Sequence, residues 1–195
     1  MKILKEKYLL NFKKNKKKIV LCHGVFDLLH PGHIHHFNEA KKLGDILIVS
    51  LTADKFVSKG LRKPFFNQDL RLKSILSLKC VDYVLVSNYH TAENVIKKIK
   101  PHFYCKGQDY KKQSDDLSGN IKKEIKLVKK YGGQTIFTSG ITFSSSQIIR
   151  NNFDTLDKKQ KNEIIYLKKK FNIENIKKIL KKLQIYLNRE IMKIH

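Results

Sequence analysis

The chain predicts an α/β fold: an open, parallel, five-stranded Rossmann-like sheet with helices on both faces and a C-terminal helical appendage. Three observations carry this. Short, near-continuous apolar runs such as Ile46–Leu51 read as strands buried on both faces. Amphipathic segments of about ten residues separate them, the pattern of right-handed βαβ crossovers. The 195 residues suffice for one such domain plus a helical extension.

The elements follow in order. Residues 2–14 place Ile3, Leu4, Tyr8, Leu9 and Phe12 on one side and predict an amphipathic helix. Lys18–Cys22 is the first strand. A helix runs from about Gly32 to Leu43 and stops at Gly44. Ile46–Leu51 is the second strand, and residues 52–66 are a loop punctuated by Gly60 and Pro64. Asn67 is placed to cap a helix reaching about Lys79. Tyr83–Val86 is the third strand, and the helix Thr91–Ile99 ends before Pro101. Phe103–Cys105 is the fourth strand, followed by a polar loop over 106–117. The helix Ile121–Lys130 closes at Gly132-Gly133, Thr135–Phe137 is the fifth strand, and a short helix opens near Ser144–Ser146.

This divides the chain into a domain over 1–150 and an appendage over 151–195. In the appendage Ile173, Ile176, Leu180, Leu183 and Leu187 form one apolar helical face. It is too short to bury a core of its own.

The formal charge is +24, from 41 Lys plus Arg against 17 Asp plus Glu. Such an excess attracts polyanions and phosphorylated small molecules. In the linear sequence the lysines are spread throughout, and a nucleic-acid surface would need them focused on one face. A basic nucleic-acid-binding module is therefore carried only as an alternative. Cys22, Cys80 and Cys105 lie in or beside apolar runs, are odd in number and lack paired metal-ligand spacing, which argues against a disulfide scaffold. No uncharged apolar run is long enough to span a bilayer, and residues 1–18 lack the apolar stretch of a signal peptide. A cytoplasmic protein with no membrane partner is expected.

The segment with chemical content is His30-Pro31-Gly32-His33, between the first strand and the first crossover helix. Histidines at i and i+3 can converge on one object. Proline suits the first helical turn, and the free N–H groups there receive phosphate oxygens. An imidazole pair at that point can stabilise charge building on an α-phosphate and its leaving pyrophosphate. A histidine-rich structural loop and a metal cluster are the alternatives. The cluster is short of ligands, since zinc usually takes three or four and no cysteine or carboxylate has matching local spacing. His35 and His36 are assigned to the packing or outer face of the helix.

The run GVFDLLHPGHIHHFNEAKKLGD resembles the signature of the cytidylyltransferase-like (HxGH) nucleotidyltransferase superfamily. The resemblance covers residues 17–150. It is nearest to the bacterial branch holding glycerol-3-phosphate cytidylyltransferase and the nucleotidyltransferase domain of heptose-phosphate enzymes. It implies transfer of a nucleotide to a small phosphorylated molecule, with Mg²⁺ carried on the nucleoside triphosphate and no protein metal site. CMP transfer from CTP to a phosphorylated polyol or sugar, for cell-surface polysaccharide, is the first expectation. Adenylyl transfer from ATP to a heptose phosphate is the alternative. The resemblance also implies a homodimer and a sugar-kinase-like domain that is separate or deleted, residues 151–195 being the connection towards it.

Carried onto this sequence, the family pattern gives His30, His33, Lys41 and Arg71 catalytic roles. Gly24, Val25, Phe26 and Asp27 line the nucleotide cleft, with a loop-bonding role for Asp27 equally open. Lys106, Gly107 and Asp109 belong to a glycine-aspartate-aromatic loop. Phe143, Ser144, Ser145 and Ser146 form the motif opening the closing helix, where hydroxyls and helix N–H groups receive the leaving phosphates. Asp54, Lys59, Arg62 and Tyr110 are expected near the acceptor, with helix capping as the alternative for Asp54. The stretch Thr138-Ser139-Gly140-Ile141-Thr142 departs from the arginine-threonine-glutamate-glycine sequence of the better-known cytidylyltransferases, which leaves CTP against ATP open.

Overall fold

The structure, a computed structural model, describes residues 2–57, 64–108 and 120–139, together with 162–163 and 165–166. The chain divides into two compact units, Met1–Ile148 and Ile149–His195. In the second, the described residues Asn162, Glu163, Ile165 and Tyr166 are helical and exposed.

The first unit runs β1 (Lys2–Ile3), α1 (Glu6–Lys14), β2 (Ile19–Gly24), α2 (Pro31–Lys41), β3 (Ile46–Thr52), a 3-10 turn (Asp54–Phe56) and α3 (Gln68–Leu76). It continues with β4 (Tyr83–Ser87), α4 (Glu93–Ile99), β5 (Phe103–Gly107), α5 (Asn120–Lys130) and β6 (Gln134–Thr138). The strands form one sheet in the order β1-β4-β3-β2-β5-β6, every pair parallel.

The sheet therefore has six strands rather than five. The extra one is β1, which pairs Lys2 with Tyr83 and Ile3 with Val84, and the Leu4 amide donates to Val84 O at 2.8 Å. Only from Glu6 does the N-terminal segment become helical. Two strand residues are too few to break a helical apolar pattern, so the segment read as one helix.

Local chemistry sets the boundaries. His30 is the extended N-cap of α2 and Pro31 its first residue. Asn67 caps α3, its side chain accepting from the Leu70 amide at 3.0 Å. Lys100 takes a left-handed conformation that ends α4 before Pro101. Beyond α5, Gly132 has φ +77°, and a Cβ on Gly133 would come within 2.3 Å of Pro101 O. That turn needs one glycine for its backbone angle and the other for close approach.

The sheet is covered on both faces. On one, α2 and α3 bury Phe37, Ala40 and Ile75 against Val20, Cys22, Leu47, Val49 and Leu51. On the other, α1, α4 and α5 bury Leu9, Phe12, Ile96, Ile99 and Val128 against Ile19, Leu21, Ile48 and Tyr104. From β2 the chain moves outward to β3 and β4, then returns through α4 to β5 on the other side of β2. This places the topological switch point at the carboxyl ends of β2 and β5, where open α/β sheets bind ligands.

Candidate nucleotidyl-transfer site

At the end of β2 the backbone turns through two residues that are not glycine yet have positive φ, Phe26 (48°) and Leu28 (39°). That conformation is uncommon for bulky side chains and costs of order 1–3 kcal/mol each, so the surroundings must hold it. Several contacts do. The Phe26 ring covers Gly24, where an added Cβ would lie 3.0 Å from it. It packs edge-on to Phe37 and His33, at centroid distances of 4.9 and 5.5 Å. The buried Asp27 carboxylate accepts from the amides of Phe65 (2.7 Å) and Phe66 (3.0 Å). Of the two roles left open for Asp27, the structure shows the loop-bonding one.

His30 and His33 stack at the start of α2, with ring centroids 3.8 Å apart and planes 21° apart. The His30 carbonyl accepts from His33 N (2.9 Å) and Ile34 N (3.3 Å), which starts the helix. Burial pulls the His30 pKa below the ordinary histidine value. The two rings thus lie beside the N–H groups of the first helical turn, above the strained loop.

The next two histidines pin the same helix elsewhere. His35 Nε2–H donates to Ser139 O at 2.8 Å, and His36 Nδ1 meets Thr138 Oγ1 at 2.7 Å. Burial, then the Lys106 charge, then His35 bring the His36 pKa down to about 4. These are packing roles, tying α2 to the end of β6.

Arg71 does not offer its guanidinium to a nucleotide. Its side chain is 0 % exposed and spent on loop backbone. Nε–H donates to Phe66 O (3.0 Å), one terminal nitrogen to Val25 O, and the other to Thr52 O (2.9 Å) and Asp54 Oδ1 (2.6 Å). In place of the expected open phosphate contact the structure shows a clamp: three chain segments around the site hang on one side chain. Asp54 completes this clamp. Its Oδ2 accepts from Gln68 N at 3.0 Å, while its own amide donates to Gln68 Oε1 at 3.3 Å. These bonds to Gln68 are those of the capping alternative for Asp54.

Lys41 is not brought to the histidines either. α2 runs from the carboxyl to the amino edge of the sheet, and eight residues beyond His33 is about 12 Å along its axis. There Lys41 Nζ binds Asp82 Oδ2 and Asp45 O, both at 2.6 Å. Asp82 also accepts from Leu47 N. The structure thus places Lys41, expected among the catalytic residues, as a brace among residues preceding β3 and β4.

Lys106 faces the α4–α5 side. Its ammonium is 3.5 Å from Glu124 Oε2, with both side chains largely buried. Glu124 also accepts from Ala92 N (3.1 Å) and Tyr104 OH (2.8 Å). The structure places Lys106, expected at the nucleotide, in a buried ion pair one residue before Gly107 at the strand end. Among the described site residues, Gly24, Val25, Phe26, Asp27, His30, His33 and Gly107 surround the carboxyl ends of β2 and β5. Lys59, Arg62, Asp109, Tyr110, Phe143, Ser144, Ser145 and Ser146 lie outside the described residues.

Two further residues belong to this region. His23, the residue before Gly24, has Nδ1 3.0 Å from Ser50 Oγ. Burial and then Lys106 lower its pKa to about 3, so it is neutral at ordinary pH. Its only sequence signal is a polar residue closing an apolar strand. Glu124 had a clearer one: a carboxylate between Ile121 and Val128 on the apolar stripe of α5. Among the described residues, no three His, Cys, Asp or Glu side chains are placed to hold a metal ion.

Residues 21–152 match the cytidylyltransferase-like family. The bifunctional protein HldE of Aliarcobacter butzleri is 44% identical over 121 residues, covering 61% of this chain and 25% of that protein. HldE of Campylobacter concisus is 40% identical over 130 residues, 66% of this chain and 27% of that protein. The chain thus spans about a quarter of the length of the curated relatives it matches. The structure of the lipopolysaccharide core biosynthesis protein from Thermoplasma volcanium aligns with TM-score 0.54 and 28% identity, over 65% of this chain and 99% of that one. With the HxGH pair at the switch point of a parallel sheet, and a family match over most of the chain, the protein belongs to the cytidylyltransferase-like family of nucleotidyltransferases.

Proposed function

We propose that the protein transfers an adenylyl group from ATP to a heptose phosphate and releases pyrophosphate, in the synthesis of a cell-surface polysaccharide precursor. The observation that carries this is the stacked His30–His33 pair on the first turn of α2, beside the switch point. A phosphate oxygen of the acceptor attacks the α-phosphorus in line. The bond from that phosphorus to the bridging oxygen breaks, and the electron pair leaves with pyrophosphate. The imidazoles and helix N–H groups meet the negative charge that grows on the phosphoryl oxygens. No covalent enzyme intermediate is needed. The strained Gly24–Leu28 turn, held by Phe26, Asp27 and Arg71, keeps the nucleotide end of the site in one shape. Mg²⁺ bound to the triphosphate would offset its charge.

CTP was the first expectation from the resemblance. The similarity to HldE proteins supports the ATP and heptose-phosphate alternative over it, and Thr138-Ser139-Gly140 in place of the cytidylyltransferase arginine motif agrees. The test is pyrophosphate release from ATP, CTP, UTP and GTP, each paired with a heptose phosphate and with glycerol 3-phosphate. Turnover with ATP and the heptose phosphate is expected. Turnover with CTP alone returns the reading to cytidylyl transfer, and none with any pair overturns it.

We infer further that the protein acts in the cytoplasm as a two-fold homodimer, with a kinase-like activity residing in another chain or domain. Light scattering at micromolar concentration should report twice the monomer mass. Among the described residues no helix is long and apolar enough to cross a membrane.

A further inference from the structure

The lysine excess looks uniform along the sequence but not in the fold. The helices α1, α4 and α5, which share one face of the sheet, carry ten lysines against three glutamates, a formal +7. The helices of the other face, α2 and α3, carry three basic residues against two acidic ones, a formal +1. All ten lysines (7, 13, 14, 97, 98, 122, 123, 126, 129 and 130) are exposed. Among the described residues none has an acidic side chain within ion-pair distance. Of the three glutamates, Glu124 is buried against Lys106, so it does little to offset the surface charge.

A composition bias alone would have charged both faces alike. Instead three helices lying side by side on a sheet present a broad basic surface. We propose that this α1–α4–α5 face docks on an anionic lipid bilayer.

Three features favour a bilayer over nucleic acid. The cations are all lysines, point charges on flexible stems, with none of the planar guanidinium groups that suit bidentate recognition. The aromatic side chains of these three helices are Tyr8, half-buried beneath the Lys2 and Lys7 ammonium groups, and Phe12, buried, so the helices present no bare ring as a stacking platform for single strands. The one large aliphatic side chain standing out from them, Leu10 at 62% exposure, suits the headgroup boundary between lysine stems. The attraction is the summed field of many weak contacts, which salt screens over a Debye length of about 8 Å at physiological ionic strength. Docking by this face leaves the carboxyl ends of β2 and β5 opening sideways.

The test is co-sedimentation of the full chain with vesicles of phosphatidylcholine alone and of phosphatidylcholine with phosphatidylglycerol in equal parts. Binding to the anionic vesicles only, abolished by high salt, is expected. The variant K122E/K126E/K129E should bind at least about tenfold more weakly, with melting temperature and the wild-type nucleotidyl-transfer rate retained. K13E/K14E/K97E changes the other two helices and should weaken binding likewise, which covers a misfolded first variant. A single-stranded RNA oligomer run in parallel by fluorescence anisotropy supplies the competing outcome. Absence of vesicle binding overturns the proposal, as does RNA binding without it. Vesicle binding that survives in both folded variants overturns the assignment to this face. The binding and melting readouts do not depend on which nucleotide or acceptor the enzyme uses, so they stand or fall apart from the proposed reaction.

Discussion

The imidazole of His30 lies flat against that of His33, centroids 3.8 Å apart, because one caps the helix and the other sits one turn into it. The stack fixes both rings at the end of β2, so neither has to be ordered when the phosphates arrive.

His30→Ala and His33→Ala are expected to lower kcat by about 10²–10³-fold each, the scale for losing one oxyanion donor. Thermal melting should change little beside that. Pyrophosphate release on saturating ATP and acceptor measures the first, and a melting curve the second. A KM effect with kcat intact would mean that the pair binds ground state and transition state equally.

Arg71→Lys tests the clamp. Lysine cannot reach Val25 O, Thr52 O, Phe66 O and Asp54 together, so buried carbonyls lose their donor. A loss on the order of 3 kcal/mol is expected in urea unfolding, with activity falling alongside. A phosphate ligand would instead give a stable protein with a raised KM for the nucleotide.

Acid should destabilise the fold through His23 and His36. Their folded pKa values, about 3 and about 4, lie below the unfolded value near 6.5, so the unfolded chain binds more protons between those limits. Stability is therefore full above pH 6.5 and falls as pH drops towards 4, by up to about 1.4 kcal/mol per pH unit for each histidine. Melting temperatures from pH 7.5 to 4 should show this. The slope should flatten in His23→Gln and His36→Gln.

The Lys106–Glu124 pair calls for a double-mutant cycle. Lys106→Met alone leaves Glu124 with two neutral donors, while Glu124→Leu removes at once the carboxylate beside the ammonium and the acceptor of the Ala92 amide and the Tyr104 hydroxyl. The second single change should cost about 3–5 kcal/mol, more than the first, and the double variant should recover part of that loss. Additive losses in urea unfolding would mean that the pair is not coupled.

Most of the sheet was legible because its strands are buried on both faces and read as unbroken apolar runs, while Asn67, Pro101 and Gly132-Gly133 punctuate the helices. The histidine pair was legible because Pro31 and Gly32 mark a helix start after a strand. What escaped depended on distance in sequence. Nothing local to Arg71 announces four oxygens from residues 25, 52, 54 and 66. Lys41 lies on the same helix as His33, but only the helix direction against the sheet shows that it reaches the opposite edge. The side of the sheet taken by Lys106 follows from its strand neighbour Tyr104 packing under α4 and α5.

The Arg71 clamp has an evolutionary consequence. Val25 follows β2, Thr52 ends β3 and Phe66 lies just before α3, yet they share one mechanical anchor. A backbone shift at any of them is transmitted to the other two, so these segments cannot drift independently. New acceptor preferences must arise from side chains that line the cleft without holding it up. Lineages that exchange one phosphorylated substrate for another should therefore keep this arginine and vary around it.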